Sequence, residues 1–250
     1  MAIRSEKGKH INAYQRRIWH GYKKALGLPT GYSYLYGNPV KVHVPMDTVT
    51  NGLMIIGAYP TAHFNVIGRH RDVPVGDHLY PFSNEVYFDG SSVNTVKSGK
   101  EIEGYFLTKL DYSREKCWIT DLVKVFLFKQ GHIDKYEALG FKGHKESRSQ
   151  FRTLGEKSKI YIDEEIMLAE PKIILGLGTE VNSIMLGVSE KQAIDLMGKA
   201  QKLGYFVNER LYCYMPVPHP GILMRNTKGS AKWKKILDKA ISNIKVNRIN

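Results

Sequence analysis

"LMIIGAYPTAHF", Leu53 to Phe64, opens as an apolar run and then breaks into a turn. Consecutive apolar side chains without alternation describe a strand covered on both faces, as in a parallel sheet. The turn carries Gly57, Pro60 and His63, but neither a glycine-rich phosphate loop nor a nucleophile elbow. Three later runs repeat the pattern: "CWIT" from Cys117, "KIILGLG" from Lys172 and "LYCYMPV" from Leu211. Helical segments separate them. Ser98-Gly99-Lys100-Glu101 reads as a capping box before "IEGYFLTKL". A helix over about 149–169 places Leu154, Ile162, Ile166 and Ala169 on one face. "TEVNSIMLG" starts with a threonine cap, and "KGSAKWKKILDKAISNI" closes the chain as a helix. The expected fold is α/β: three layers, α/β/α, around a central four-stranded parallel sheet. Ligands of such sheets sit outside the carboxyl ends of the strands. "AYPTAHF", "DLVKV", "LGTE" and "PVPHPG" are therefore the stretches that matter.

Composition narrows the chemistry. Only Cys117 and Cys213 are present among 250 residues, and Cys117 lies in an apolar run, which argues against a disulfide scaffold, while two cysteines cannot supply a four-thiolate zinc or iron–sulfur site. The apolar runs are strand-sized, and the first residues lack the apolar core of a secretory signal, so the expected site of action is cytoplasmic (nucleoid) or nuclear. Lysine and arginine exceed aspartate and glutamate by 13, a balance that suits either a solvated surface or a polyanionic partner. Residues 1–48 read as a basic, tyrosine-rich extension whose "YQRRIWHGYKKALGL" is helical to about Gly27, and 49–250 as the α/β domain.

Three motifs could carry chemistry. "GLGTEV" from Gly176 has Val181 where a dinucleotide fingerprint needs glycine, so it reads as a tight strand-to-helix turn. His63, His70 and His78, with Asp72, Asp77 and Glu85, are irregularly spaced candidates for a metal cluster. In "VPHPG", two prolines fix the backbone around His219 directly after a strand. A histidine so placed suits stabilisation of developing negative charge, and an incidental loop histidine is the competing reading.

In order and spacing, "GAYPTAHF", "CWITDLVKV", "PKIILGLGTEVNSIMLG" and "PHPGILMRN" resemble the uracil-DNA glycosylase superfamily from about residue 50 to 240. The resemblance implies a pocket for a base flipped out of DNA, with Gly57, Ala58 and Tyr59 as one wall. It implies that His219 donates to O2 of the leaving base and that Phe82 stacks on the base. Leu223 becomes the wedge that fills the gap, flanked by Ile222 and Met224, and Arg225, Lys228 and Lys232 become phosphate contacts.

The chain also departs from familiar members. Tyr59 stands where well-known members carry an Asp or Asn that handles water, and a phenol is not a useful base near neutral pH. "GAYPTAHF…GRHRDVPVGD" is similar instead to the thermophilic type-B branch, whose carboxylate lies in a later Gly-Asp pair, which points to Asp77. Asp121 replaces the asparagine of the "ITN" found in the iron–sulfur branch. An ionised Asp has two acceptors and no donor, whereas a protonated one restores a donor for uracil or another deaminated base. Lys124, one turn on, offers a partner that would make Asp121 purely structural. The expectation is a monofunctional, cofactor-free and metal-free DNA glycosylase of base excision repair, acting as a monomer. The alternatives are a catalytically inactive nucleic-acid-binding protein of the same fold and a metal-dependent hydrolase built on the histidine-rich loop.

Overall fold

The computed structural model describes residues 6–29, 31–199, 201–225, 227 and 229–246. Helix α1 (Glu6–Ala25) precedes strand β1 (Leu53–Gly57), two ribbons made by β2 (Ala62–Ile67) with β3 (His70–Asp77) and β4 (Val86–Phe88) with β5 (Val93–Thr95), and helix α2 (Lys97–Lys100). A π-helical stretch, Glu101–Leu107, leads into α3 (Thr108–Leu110) and β6 (Cys117–Asp121). Helices α4 (Gln130–Ala138) and α5 (Phe151–Ala169) follow, then β7 (Ile173–Leu177), α6 (Thr179–Leu186) and α7 (Glu190–Lys199). Strands β8 (Leu203–Val207) and β9 (Arg210–Val217), a 3₁₀ turn (Pro220–Met224) and α8 (Ser230–Val246) complete the chain.

The central sheet has the order β6-β1-β7-β9-β8. Its first four strands are parallel, and β8 joins β9 antiparallel at the edge. The expected three-layer α/β fold is present, with a fifth strand added. β8 escapes sequence reading because its residues alternate between buried and solvent-facing, and its hairpin turn is Asn208-Glu209, both at positive φ (46° and 63°), rather than a glycine turn.

Every residue of β1 and β6 is buried, because successive side chains enter opposite layers. Met54, Ile56, Trp118 and Ile174 face α5 and the N-terminal region, whereas Leu53, Ile55, Ile119 and Leu175 face α8 and the π-helical stretch. β1 and β7 are neighbours whose onward connections leave in opposite directions, so the crevice between layers opens at their carboxyl ends.

Two caps differ from expectation. Ser98 lies inside α2, which starts after Val96, because Gly99 must pack against the Ser83 carbonyl: a Cβ there would come within 2.2 Å of that oxygen. α6 is preceded by Gly178 at φ +85°, not by a threonine cap.

Four of the five tyrosines of the first 48 residues, Tyr14, Tyr22, Tyr32 and Tyr34, run into the core, whereas Tyr36 is exposed. Tyr14 donates to Glu165 Oε1 at 2.5 Å, the Tyr22 hydroxyl pairs with Ser158 at 2.6 Å, and Tyr32 donates to the Phe126 carbonyl at 2.6 Å. Each rim thus buries apolar area and satisfies its hydroxyl.

Candidate active site

A cavity of about 870 Å³ lies at the carboxyl ends of β1, β6 and β9, large enough for a nucleotide-sized ligand. Its floor follows from strand register. Gly57 of β1 pairs with Asp121 of β6, so their side chains would share one face. Since Gly57 has none, the Asp121 carboxylate and the Phe82 ring both move into that space. A Cβ on Gly57 would sit 2.3 Å from Asp121 Oδ1 and 2.5 Å from Phe82 Cε2 and Cζ. Backbone pairing continues past the strand, with Leu122 N–H on the Gly57 carbonyl and Val123 N–H on that of Ala58.

Phe82 is held in a left-handed conformation (φ 53°), which costs about 1–3 kcal/mol for such a residue. Arg114 offsets that strain. Its Nη1 donates to the Phe82 carbonyl and Nη2 to that of Pro81, both at 2.8 Å, and its other donors pair with Asp47 and Glu103. The guanidinium also lies 5.0 Å from the Tyr80 ring centroid. Sequence reading missed Arg114, since nothing in "SREKCW" announces that it anchors a loop 32 residues earlier.

Asp121 is buried, and burial raises its carboxyl pKa to about 7, with Lys124 opposing the rise. Lys124 does not neutralise it through a side-chain contact. Its ammonium lies 2.5 Å from Glu165 Oε1 and donates to Thr120 Oγ1 and the Asp121 carbonyl. Trp118 Nε1 and Tyr14 hold the same Glu165 carboxylate. Lys124 and Glu165 are both fully buried, so the pair is a closed structural unit beneath the cavity floor. Asp121 keeps its carboxyl group for the cavity, which it lines.

His219 follows β9 as the sequence implies. The Gly221 N–H donates to His219 Nδ1 at 3.1 Å, which puts the proton of the neutral ring on Nε2. Burial, with Arg225 nearby, lowers the ring's pKa to about 4, so the imidazole is neutral near pH 7. The ring nevertheless opens on the cavity, and its centroid lies 6.4 Å from that of Phe82, the planes 31° apart. Glu101, the first residue of the π-helical stretch, brings Oε2 to 3.7 Å from His219 Nδ1 and also lines the cavity. Arg225 lines it and is exposed, as is Met224, whereas Ile222 is half-buried against the core. Leu223 belongs to the 3₁₀ turn by its backbone, while its side chain and all of Lys228 lie outside the described residues.

Asp77 is placed differently from the expectation. Oδ1 accepts from the Tyr34 hydroxyl at 2.7 Å and Oδ2 from the Lys41 N–H at 2.8 Å, and the carboxylate is not on the cavity wall. It braces the N-terminal segment against β3. His43, whose Nε2 lies 3.7 Å from Asp77 Oδ1, reaches the wall instead. Tyr59 lines the cavity, but its hydroxyl accepts from Arg148 Nε at 3.1 Å, and Arg148 is paired with Glu180. Burial raises the phenol's pKa further.

Of the histidine-rich candidates, His63, His78 and Glu85 converge, with one potential ligand atom from each lying within 4.8 Å of the others. Such a set could hold a divalent ion. Without one, Glu85 Oε1 accepts from His63 Nε2 at 3.0 Å, His78 Nδ1 at 2.7 Å and the Leu79 N–H at 3.1 Å, which ties the two ribbons together. His70 and Asp72 do not join it. "GLGTEV" is structural: Asn182 donates to the Gly176 and Gly178 carbonyls and accepts from the buried Tyr214 hydroxyl.

The strand ends of this α/β/α sheet thus bring an aromatic ring, a buried carboxyl and a neutral histidine onto one cavity, at the edge where such sheets bind ligands. The family model for the uracil DNA glycosylase superfamily matches residues 47–241, and the chain belongs to that superfamily. Membership supports glycosylase-type enzymology with DNA as the substrate polymer. No curated protein matches the chain significantly. Among the described residues, no helix is long and apolar enough to cross a membrane.

Proposed function

We propose that the protein is a monofunctional DNA glycosylase that hydrolyses the N-glycosidic bond of uracil or another deaminated base, the first step of base excision repair. The observation that carries this reading is the shared slot above Gly57, where Phe82 and Asp121 converge within 2.5 Å of the missing Cβ and His219 lines the same cavity. An extruded base stacks on Phe82 and presents its polar edge to Asp121. With its pKa raised to about 7, Asp121 is partly protonated at neutral pH and donates to O4 of uracil or of a similar lactam. As the glycosidic bond breaks, negative charge collects on the base, and the Nε2–H of His219 meets it at O2. Removing a donor of this kind costs roughly 10²–10³ in rate. Lys124, the lysine nearest Asp121 by sequence, is locked to Glu165, so the amines left for a covalent route are those of Lys97 and Lys129 on the cavity wall.

The test is alkali-dependent strand cleavage of oligonucleotides carrying uracil, hypoxanthine, xanthine or mismatched thymine, single- and double-stranded, in EDTA. Abasic sites that form with the wild type, drop at least 100-fold in His219→Ala, and give no borohydride-trapped adduct support the proposal. Base release that needs added zinc would favour the metal-hydrolase reading, to which His63, His78 and Glu85 lend their geometry. DNA binding without base release would favour the inactive binder, to which Tyr59 and the withdrawn Asp77 lend support.

A further inference from the structure

With Tyr59 in place of a carboxylate and Asp77 turned away, the proposed reaction lacks a group to stabilise the sugar cation and hold water. We infer that Glu101 is that group. The inference rests on the glycosylase reading above.

Bond connectivity locates the position required. O2 of a pyrimidine is carried on C2, and C2 is bonded to N1, which bears the sugar C1′. A histidine that donates to O2 through Nε2 therefore stands near the anomeric carbon, and a carboxylate that shares its stretch of cavity wall can reach the same carbon. Glu101 Oε2 lies 3.7 Å from His219 Nδ1, the ring nitrogen that takes the Gly221 N–H, and Glu101 lines the same cavity.

Two of the other carboxylates on the cavity wall are committed elsewhere, and the third faces solvent. Asp121 faces the base edge against Gly57. Asp89 accepts from the Ser91 and Ser92 N–H groups and the Asn94 amide. Asp72 is solvent-exposed on the β2–β3 ribbon.

The surroundings of Glu101 fit a built position. Its carboxylate is pressed onto Gly221, where a Cβ would come within 2.7 Å of Oε1 and 2.8 Å of Oε2. Glycine in "PHPG" therefore leaves room for Glu101 as well as lending its N–H to His219. Glu101 also opens a seven-residue π-helical stretch, a distortion that recurs at functional sites. Lys97 of α2 and Arg225 after the 3₁₀ turn act on it electrostatically, and burial raises its pKa above the ordinary carboxylate value.

The step balances. The C1′–N bond breaks with its electron pair leaving on the base, whose O2 is held by His219. Glu101 offsets the positive charge on the sugar, a water oxygen bonds to C1′, and the carboxylate takes a proton from that water. The proton then returns to the departing base or to solvent. The products are an abasic sugar and the free base.

Single-turnover base release on the preferred oligonucleotide, with enzyme in excess, tests the assignment. Glu101→Gln is expected to lose at least 100-fold in rate with unchanged DNA affinity and a melting temperature no lower than wild type. Glu101→Asp, which keeps the charge on a shorter arm, should retain more activity than Gln. The wild-type rate should fall on the acid side as Glu101 protonates, and that limb should vanish in Glu101→Gln. A Gln variant within about threefold of wild type, with the acid limb intact and Asp77→Asn inactive, would overturn the role of Glu101 while leaving the glycosylase standing. No base release by the wild type from any substrate would overturn both.

Discussion

Replacing Asp121 by asparagine should stabilise the protein, and only at the upper end of the pH range. In the folded protein the carboxyl's pKa is about 7, against 3.8 for the free group, because burial disfavours the charged form. Below about pH 4 the acid is protonated in both folded and unfolded chains and carries no penalty. Between about pH 4 and 7 the folded protein keeps a proton that the unfolded chain has released, so the wild type loses stability as pH rises. Above 7 the whole cost is present. Roughly three units at about 1.4 kcal/mol each make it on the order of 4 kcal/mol.

Asparagine has the same shape and no charge to bury. The stability difference between Asp121→Asn and wild type should therefore be flat below about pH 4, climb through the window, and level off above 7. For a chain of this size the plateau corresponds to roughly 10 °C in melting temperature. Urea denaturation of both proteins at pH 4, 5.5, 7 and 8 measures it, and taking the difference cancels the other titrating groups. A difference that does not change with pH would refute the reasoning, since Asp121 would then be hydrated or paired in the folded state. The same asparagine presents a fixed donor and acceptor, so base release by the variant should lose any alkaline fall that Asp121 ionisation causes.

Three further outcomes follow from particular contacts. Lys124→Met should destabilise by about 3–5 kcal/mol in denaturant titrations, because the fully buried Glu165 loses its countercharge, and a second change, Glu165→Gln, should restore part of the loss by removing that charge while still hydrogen-bonding Tyr14 and Trp118. Arg114→Ala removes the donors that hold the Pro81 and Phe82 carbonyls, so it should cost at least about 2 kcal/mol in stability and raise KM for the damaged oligonucleotide. Arg225→Ala should lower the slope of log affinity against log salt by about one on any DNA sequence, as expected for one lost phosphate contact, and filter binding from 50 to 200 mM salt would show it.

The sheet was legible because its signal is local. A strand covered on both faces must be apolar at every position, and "LMIIG", "CWIT", "IILGL" and "YMPV" are nearly so. His219 was legible for a similar reason, since flanking prolines and the end of a strand fix its place along the chain. The edge strand β8 was not, because a half-exposed pentapeptide beside a glycine-free turn carries little pattern.

What lay beyond the sequence was partnership. Asp77 and Glu101 are both acidic residues near strand or helix ends, and their spacing along the chain does not reveal which one meets the cavity. Tertiary packing decided it: Tyr34 and the Lys41 N–H draw Asp77 inward, while the missing side chain of Gly221 leaves room for Glu101 beside His219. Likewise, Lys124 lies three residues from Asp121, yet its ammonium goes to Glu165, 41 residues on, because α5 brings that carboxylate under the sheet. The sequence alone determined the layers and the strand ends, since burial periodicity is written residue by residue. Only the tertiary structure decided which charges pair and which remain for a ligand, because that depends on distances between elements far apart in the chain.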